Sequence, residues 1–124
     1  MNSIKLEAKE DTPKIILDPE NEIFEFSGRS LPEDATVFYE PIIDWLKQYS
    51  KNPNKNTEFH FKLNYFNTAS SKLLLDILMI LEDIHQGGAE ISIKWFYEED
   101  DEDMEEAGGE YAELVEVPFE LISY

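Results

Sequence analysis

The stretch FHFKLNYFNTASSKLLLDILMIL, Phe59 to Leu81, decides the fold. Phe59, Phe61, Leu63 and Tyr65 alternate with His60, Lys62 and Asn64. A period of two is that of a strand with one apolar face. Asn67, Thr68, Ala69, Ser70 and Ser71 follow. Beyond them Leu73, Leu74, Leu75, Ile77, Leu78, Met79, Ile80, Leu81 and Ile84 cover nearly every side of a helix. A helix apolar all round belongs in a core. At about 16 residues it falls short of the ~20 that cross a bilayer, and Lys72, Asp76 and Glu82 interrupt and flank it. A central strand therefore hands over to a central helix through a corner of hydroxyl and amide side chains.

Upstream, Ile4 and Leu6 mark a short strand or frayed arm, and Ile15–Leu17 a strand at about 14–18. Asp18-Pro19-Glu20-Asn21 is turn chemistry, because proline presets its own φ and Asp and Asn favour tight corners. Ile23, Phe24 and Phe26 form a second strand, making a hairpin that Gly28 is expected to end. After Leu31-Pro32-Glu33-Asp34, a helix entry, Phe38, Ile42, Trp45, Leu46 and Tyr49 recur at helical spacing. Pro41 falls inside that pattern, so the spacing predicts a helix starting near Pro41 or a kinked turn before it. Ser50–Thr57 is a polar loop.

Downstream, Gly87-Gly88 ends the central helix, since glycine accepts the left-handed cap. Ile91, Ile93, Trp95 and Tyr97 give one face of another strand. Glu98–Glu106 holds eight acids in nine residues, with Met104 as the exception. Gly108-Gly109 is expected to break the chain, Tyr111–Val115 to form a short helix or turn, and Phe119–Tyr124 a last strand. The order β-β-α-β-α-β-(α)-β gives an α/β fold: one mixed sheet with helices packed on it, a single domain over residues 1–124.

Composition narrows the function. The chain has no cysteine, which excludes disulfides, thiolate metal sites and a cysteine nucleophile. The N-terminus MNSIKLEAKE holds no long apolar run, so neither a leader nor an anchor is expected and the cytoplasm is the default location. Ten bases against 28 acids leave a net charge of −18. Such a surface repels nucleic acid and anionic membranes. It suits solubility, or selection of a basic partner protein.

Most candidate constellations read as structural. His60 and His85 lie on different elements, with no spacing that holds zinc; His85, near a helix end, is placed where a cation suits the dipole. Asp101, Asp103 and Glu105 alternate as in a calcium loop, yet the glycine such a loop needs at its centre is missing. The acidic run is expected to be a solvated loop or an acidic docking surface. Trp45 and Trp95 read as core. The corner is different. One capping side chain suffices for one helix, and Asn67–Ser71 holds four. A helix N-terminus also tolerates phosphate, through free N–H groups and the positive end of the dipole.

Several stretches resemble the SiaC family of bacterial regulatory phosphoproteins, which are similar in fold to anti-sigma-factor antagonists (STAS-like domains). They are Pro32-Glu33-Asp34 with Phe38-Tyr39, Pro41, Trp45-Leu46 and Tyr49; Tyr65-Phe66-Asn67-Thr68-Ala69-Ser70-Ser71-Lys72 with its leucine-rich helix; Trp95, Tyr97 and Asp101–Glu106 with Gly108; and Pro118-Phe119. The resemblance spans about residues 14–122, and its most specific parts are the FNT-x-S-S-K corner and the DEDM segment. It implies that Thr68 is reversibly phosphorylated, by a dedicated serine/threonine kinase (SiaB-like), with a PP2C-type phosphatase (SiaA-like) removing the phosphate. It further implies that the unphosphorylated form binds and activates a diguanylate cyclase (SiaD-like), raising cyclic di-GMP and promoting aggregation or biofilm. Ala69 stands where a small, often hydroxylated residue is expected, which leaves Ser70 or Ser71 as secondary sites.

The resulting expectation is a non-enzymatic, STAS-like adaptor, monomeric when free, without cofactor or metal and without affinity for nucleic acid or membrane. Asn67, Ala69, Ser70, Ser71 and Lys72 are its expected partner-binding residues beside Thr68. The alternative is an acidic inhibitor that mimics nucleic acid and fills a basic cleft through Glu98–Glu106.

Overall fold

Apolar residues at period two and at helical spacing become strands and helices in a computed structural model, which describes residues 1–124. The strands are β1 (Ile4–Leu6), β2 (Lys14–Asp18), β3 (Ile23–Ser30), β4 (Asn56–Phe66), β5 (Glu90–Tyr97) and β6 (Phe119–Ser123); the helices are α1 (Ala35–Tyr49), α2 (Thr68–Gln86) and α3 (Glu102–Leu114). The strands lie in sequence order across one sheet, β1-β2-β3-β4-β5-β6. β1, β2 and β3 pair antiparallel; β3 to β6 run parallel. Crossovers between parallel strands are right-handed. Three of them, all stepping the same way along the sheet, put α1, α2 and α3 on one face.

The core lies between that face and the helices. Ile15, Leu17, Phe26, Phe59, Phe61, Ile93 and Trp95 point into it, against Tyr39, Leu46, Leu74, Ile77, Leu78 and Leu81. Residues of the opposite phase, such as Glu25, Ser27, Glu58, Lys62 and Lys94, are half-buried or exposed on the uncovered face.

Of the two readings of Ile4–Leu6, the short strand holds: it is a paired edge strand, and Asn2 is held where its carbonyl accepts from Trp45 Nε1 at 2.6 Å. Several other local expectations are overturned. Gly28, at φ +100°, does not end β3; the strand runs on to Ser30. The parallel register slips there, Gly28 facing Leu63 but Arg29 facing Tyr65, so Asn64 is an extra residue in β4. One extra residue reverses the phase of all that follow it. Tyr65, expected inside, is therefore exposed, and Phe66 turns inward against Trp95 and Tyr111.

α1 starts at Ala35, capped by the Asp34 carboxylate, and carries Pro41 in its interior. Proline leaves the Val37 carbonyl without its helical donor. Pro41 and Val37 are both exposed, so water can satisfy that carbonyl. The acidic run is a loop only to Asp101. Its second half opens α3, where Asp101 caps the backbone N–H of Met104 and Glu102, Asp103 and Glu105 fill the first turn. Carboxylates there are favoured by the helix dipole. Nor does Gly108-Gly109 break the chain: α3 continues to Leu114, and Gly108 is the point where the helix rests on Trp95 and Leu121. α2, in turn, is not buried all round. Leu74, Ile77, Leu78 and Leu81 are buried, but Leu73, Leu75 and Ile80 are only partly covered and Met79 is 49% exposed. No helix is long and apolar enough to cross a membrane.

Candidate functional site

The corner lies at the C-terminal edge of the parallel strands, the edge at which open α/β sheets place their functional groups. Asn67 sets it. Its backbone N–H donates to the Ser30 carbonyl at 3.1 Å, joining it to the end of β3. Its side-chain Oδ1 accepts from the Ser70 backbone N–H at 2.8 Å, and its carbonyl accepts from the Ser71 N–H at 3.0 Å. Asn67 is thus the N-cap of α2 and Thr68 its first residue.

The three hydroxyls of the corner have different surroundings. Ser70 is wholly buried. Its Oγ donates to the Ser30 carbonyl at 3.2 Å and accepts from Ser30 Oγ at 2.9 Å. With the Ser30 hydrogen committed to Ser70, the Tyr39 hydroxyl donates to Ser30 Oγ across 2.6 Å. The result is a relay from α1 through β3 to α2, buried and fully satisfied. Burial pushes the Tyr39 phenol up to about 12. Ser71 is half-buried and its Oγ donates to the Thr68 carbonyl at 2.6 Å. Thr68 is exposed, and its hydroxyl has no hydrogen-bond partner in the protein.

A second anchor comes from α3. The Tyr111 hydroxyl donates to the Ser71 carbonyl at 2.8 Å, fastening the first turn of α2 from the other side. Burial raises the Tyr111 phenol above the ordinary tyrosine range, reinforced by the nearby Glu110 carboxylate. Sequence patterns show neither anchor: hydroxyl partners 9 and 40 residues apart leave no periodic signal.

Of the expected partner-binding residues, Ala69 and Lys72 are exposed, Asn67 and Ser71 are half-buried, and Ser70 faces the interior. Lys72 is one turn beyond Thr68 on the same side of α2 and makes no ion pair; the ion pairs of the protein involve Lys5, Lys14, His60 and Lys94. Beside Ser71 and Lys72, a shallow groove of about 240 Å³ runs between α2 and α3 over Phe66, Leu75, Ala107, Tyr111 and Leu114. The largest cavity, lined by Glu22, Thr57, His85 and Glu90 among others, is at the opposite edge, where β4 and β5 begin. There His85 Nδ1 accepts from the Ile91 N–H at 3.2 Å.

Comparisons with known proteins bear on the family and the fold. The family described as SiaC family regulatory phosphoprotein matches residues 6–124. An uncharacterised protein of Pseudomonas aeruginosa strain UCBPP-PA14 is 31% identical over 121 residues, covering 98% of this chain and 96% of that one. The crystal structure of apo-SiaC from Pseudomonas aeruginosa superposes with a TM-score of 0.89 at 30% identity, covering 98% of this chain and 99% of the other. The matching chain in the crystal structure of the diguanylate cyclase SiaD in complex with its activator SiaC, also from Pseudomonas aeruginosa, gives a TM-score of 0.90 at 30% identity, with the same coverage.

Proposed function

The chain belongs to the SiaC family of regulatory phosphoproteins, and from that premise we propose that it is an adaptor switched by phosphate on Thr68. It binds and activates a diguanylate cyclase, as the SiaC of the crystallised complex is described as the activator of SiaD, and it does so in its unphosphorylated form. A serine/threonine kinase adds the phosphate and a PP2C-type phosphatase removes it. The chain is a cytoplasmic monomer when free and performs no chemistry itself.

One observation carries the choice of residue. Among the hydroxyls of the corner, Thr68 alone is exposed and uncommitted, while Ser70 is sealed in the relay with Ser30 and Ser71 is bonded to the Thr68 carbonyl. A kinase needs a hydroxyl it can reach, and phosphorylating Ser70 would require opening the first turn of α2. The physics of the switch is local. A phosphothreonine adds about −1.5 to −2 charge. At the first residue of a helix that charge is compatible with the dipole and the free N–H groups, so the fold persists. On a contact surface built for a neutral hydroxyl, the same dianion must be desolvated against the partner, and affinity falls.

Intact-mass and peptide analysis after incubation with the kinase of the same host tests the site, and a pull-down of the cyclase with each form tests the switch. One phosphate on Thr68, absent from Thr68→Ala, and cyclase retained by the free form only are expected. Phosphate confined to another residue, or equal retention of both forms, would refute the reading.

A further inference from the structure

The backbone donors at the start of α2 are only half used. A helix opens with N–H groups that have no partner within it. Here they are those of Asn67, Thr68, Ala69 and Ser70, because the Ser71 N–H already reaches the Asn67 carbonyl. Asn67 donates to the Ser30 carbonyl and Ser70 to the Asn67 side chain. The N–H groups of Thr68 and Ala69 have no partner in the protein. They lie beside the exposed Thr68 hydroxyl. The turn is also held in place, Ser70 from beneath by the relay and Ser71 from the side by Tyr111. Two free donors therefore stand ready for a phosphate on Thr68 without any refolding of the turn.

A third donor follows one turn on. Lys72 is exposed, and its ammonium makes no ion pair and no contact with an aromatic ring. It is the one lysine or arginine of α2, and α3 has none. Two carboxylates compete for it: Asp76, four residues beyond it on the exposed side of α2, and Glu110, which lines the same groove from α3. Neither forms an ion pair with it. Sequence order disfavours Asp76, since on a helix an acid pairs better with a base four residues after it than with one four residues before it. Thr68 precedes Lys72 by four, the favoured order. Once phosphorylated it also carries about −1.5 to −2 charge, more than either carboxylate. Arg29 is a second exposed cation without an ion pair, at the end of β3. It alternates with the buried Ser30, so its side chain leaves the sheet on the face opposite to α2.

We propose that Lys72 is the internal counter-ion of the Thr68 phosphate: its ammonium closes on the phosphate from one side while the N–H groups of Thr68 and Ala69 hold it from the other. The inference rests on the reading of Thr68 as the phosphorylated residue. It makes the modified corner a defined second state rather than a loose charge. Two changes then reach any protein that reads the corner. A neutral hydroxyl becomes an anion, and the one lysine of α2 is withdrawn from the surface.

The test uses the chain phosphorylated by the kinase of the same host, followed by phosphorus, carbon and amide NMR across pH at about 0.15 M salt. In the wild type the Lys72 Cε resonance should titrate with the phosphate midpoint, at about pH 6. The Thr68 and Ala69 amides should move downfield as the dianion forms. An opposite charge in contact favours the charged form of an acid and lowers its pKa. The phosphate midpoint should therefore rise by about 0.3 unit or more in Lys72→Gln, hold in Lys72→Arg, and move by less than about 0.1 unit in Arg29→Gln. Lys72 and Arg29 are exposed, and melting curves verify that each variant is folded. A Lys72 resonance that does not follow the phosphate, or equal midpoints in wild type and Lys72→Gln, overturns the counter-ion and leaves the switch at Thr68 intact. The wild-type measurement decides the question even for a kinase that does not accept Lys72→Gln. A larger shift in Arg29→Gln than in Lys72→Gln assigns the counter-ion to Arg29 and overturns the proposal. Absence of phosphate from Thr68 of the wild type overturns the reading on which it rests.

Discussion

Thr68 and Ser70 are two residues apart on one helical turn and face opposite environments. The cap at Asn67 fixes the phase of α2, and the phase puts Ser70 under the turn and Thr68 on top of it. Their substitutions should separate cleanly. Thr68→Ala removes nothing that the fold uses and should leave unfolding free energy within about 0.5 kcal/mol of wild type. Ser70→Ala leaves the Ser30 hydroxyl without its acceptor in a dry site and should cost about 1–3 kcal/mol, read by denaturant unfolding. Equal stability of the two variants would mean that the relay is not closed in solution. The same relay predicts an alkaline limit. Tyr39 ionises near 12 in the folded protein against an ordinary 10.0. Between those values the unfolded chain binds fewer protons than the native one, so stability falls as pH rises. Urea midpoints should drop from about pH 10 upward, and Tyr39→Phe should drop less steeply; identical slopes for the two proteins would count against the assignment.

At the scale of elements, what was legible in the sequence is what periodicity records. The alternations at Ile15–Leu17, Phe59–Leu63 and Ile91–Trp95 and the leucine run of α2 give the inner strands β2, β4 and β5 of the sheet and its central helix. The Asn67–Ser71 corner was legible for the same reason, because caps are local. What escaped depends on contacts between distant residues. Asn64 is an ordinary strand residue until the Gly28 register slip makes it an extra one, so the burial of Phe66 and exposure of Tyr65 had no local sign. Gly108-Gly109 reads as a break on propensity alone. In the fold, a Cβ on Gly108 would fall on Trp95 and Leu121, whereas Gly109 has open space. The pair makes a prediction. Gly108→Ala should destabilise by about 1–3 kcal/mol, as overpacking does, because Trp95 is anchored by its indole N–H to the Met104 carbonyl at 3.0 Å. Gly109→Ala should stabilise by about 0.5–1 kcal/mol through restricted backbone entropy. Thermal or urea unfolding of both variants checks the sign of each, and a stabilising Gly108→Ala would show that α3 sits farther from the sheet.

For the whole molecule, net charge sets the terms on which any phosphate must act. The chain carries −18, with few ion pairs to offset it. A phosphothreonine adds about −1.5 to −2 to that total, a small fractional change in the long-range field. Were the switch to work by repelling the partner from a distance, the background charge would already have done most of the repelling. At about 0.15 M salt the Debye length is about 8 Å, so a charge at Thr68 is felt chiefly by groups on its own turn and by whatever touches it. The ratio of partner affinities between free and phosphorylated protein should therefore persist when salt is raised from about 0.15 to 0.5 M, even as association slows through screening of the acidic surface. An acidic mimic of nucleic acid behaves differently: its affinity as free protein collapses over that range, since its binding is made of screened pairs with a basic cleft. Titration of both forms against the cyclase at the two ionic strengths distinguishes these outcomes. A ratio that falls towards unity at high salt would place the switch in the long-range field rather than at the corner.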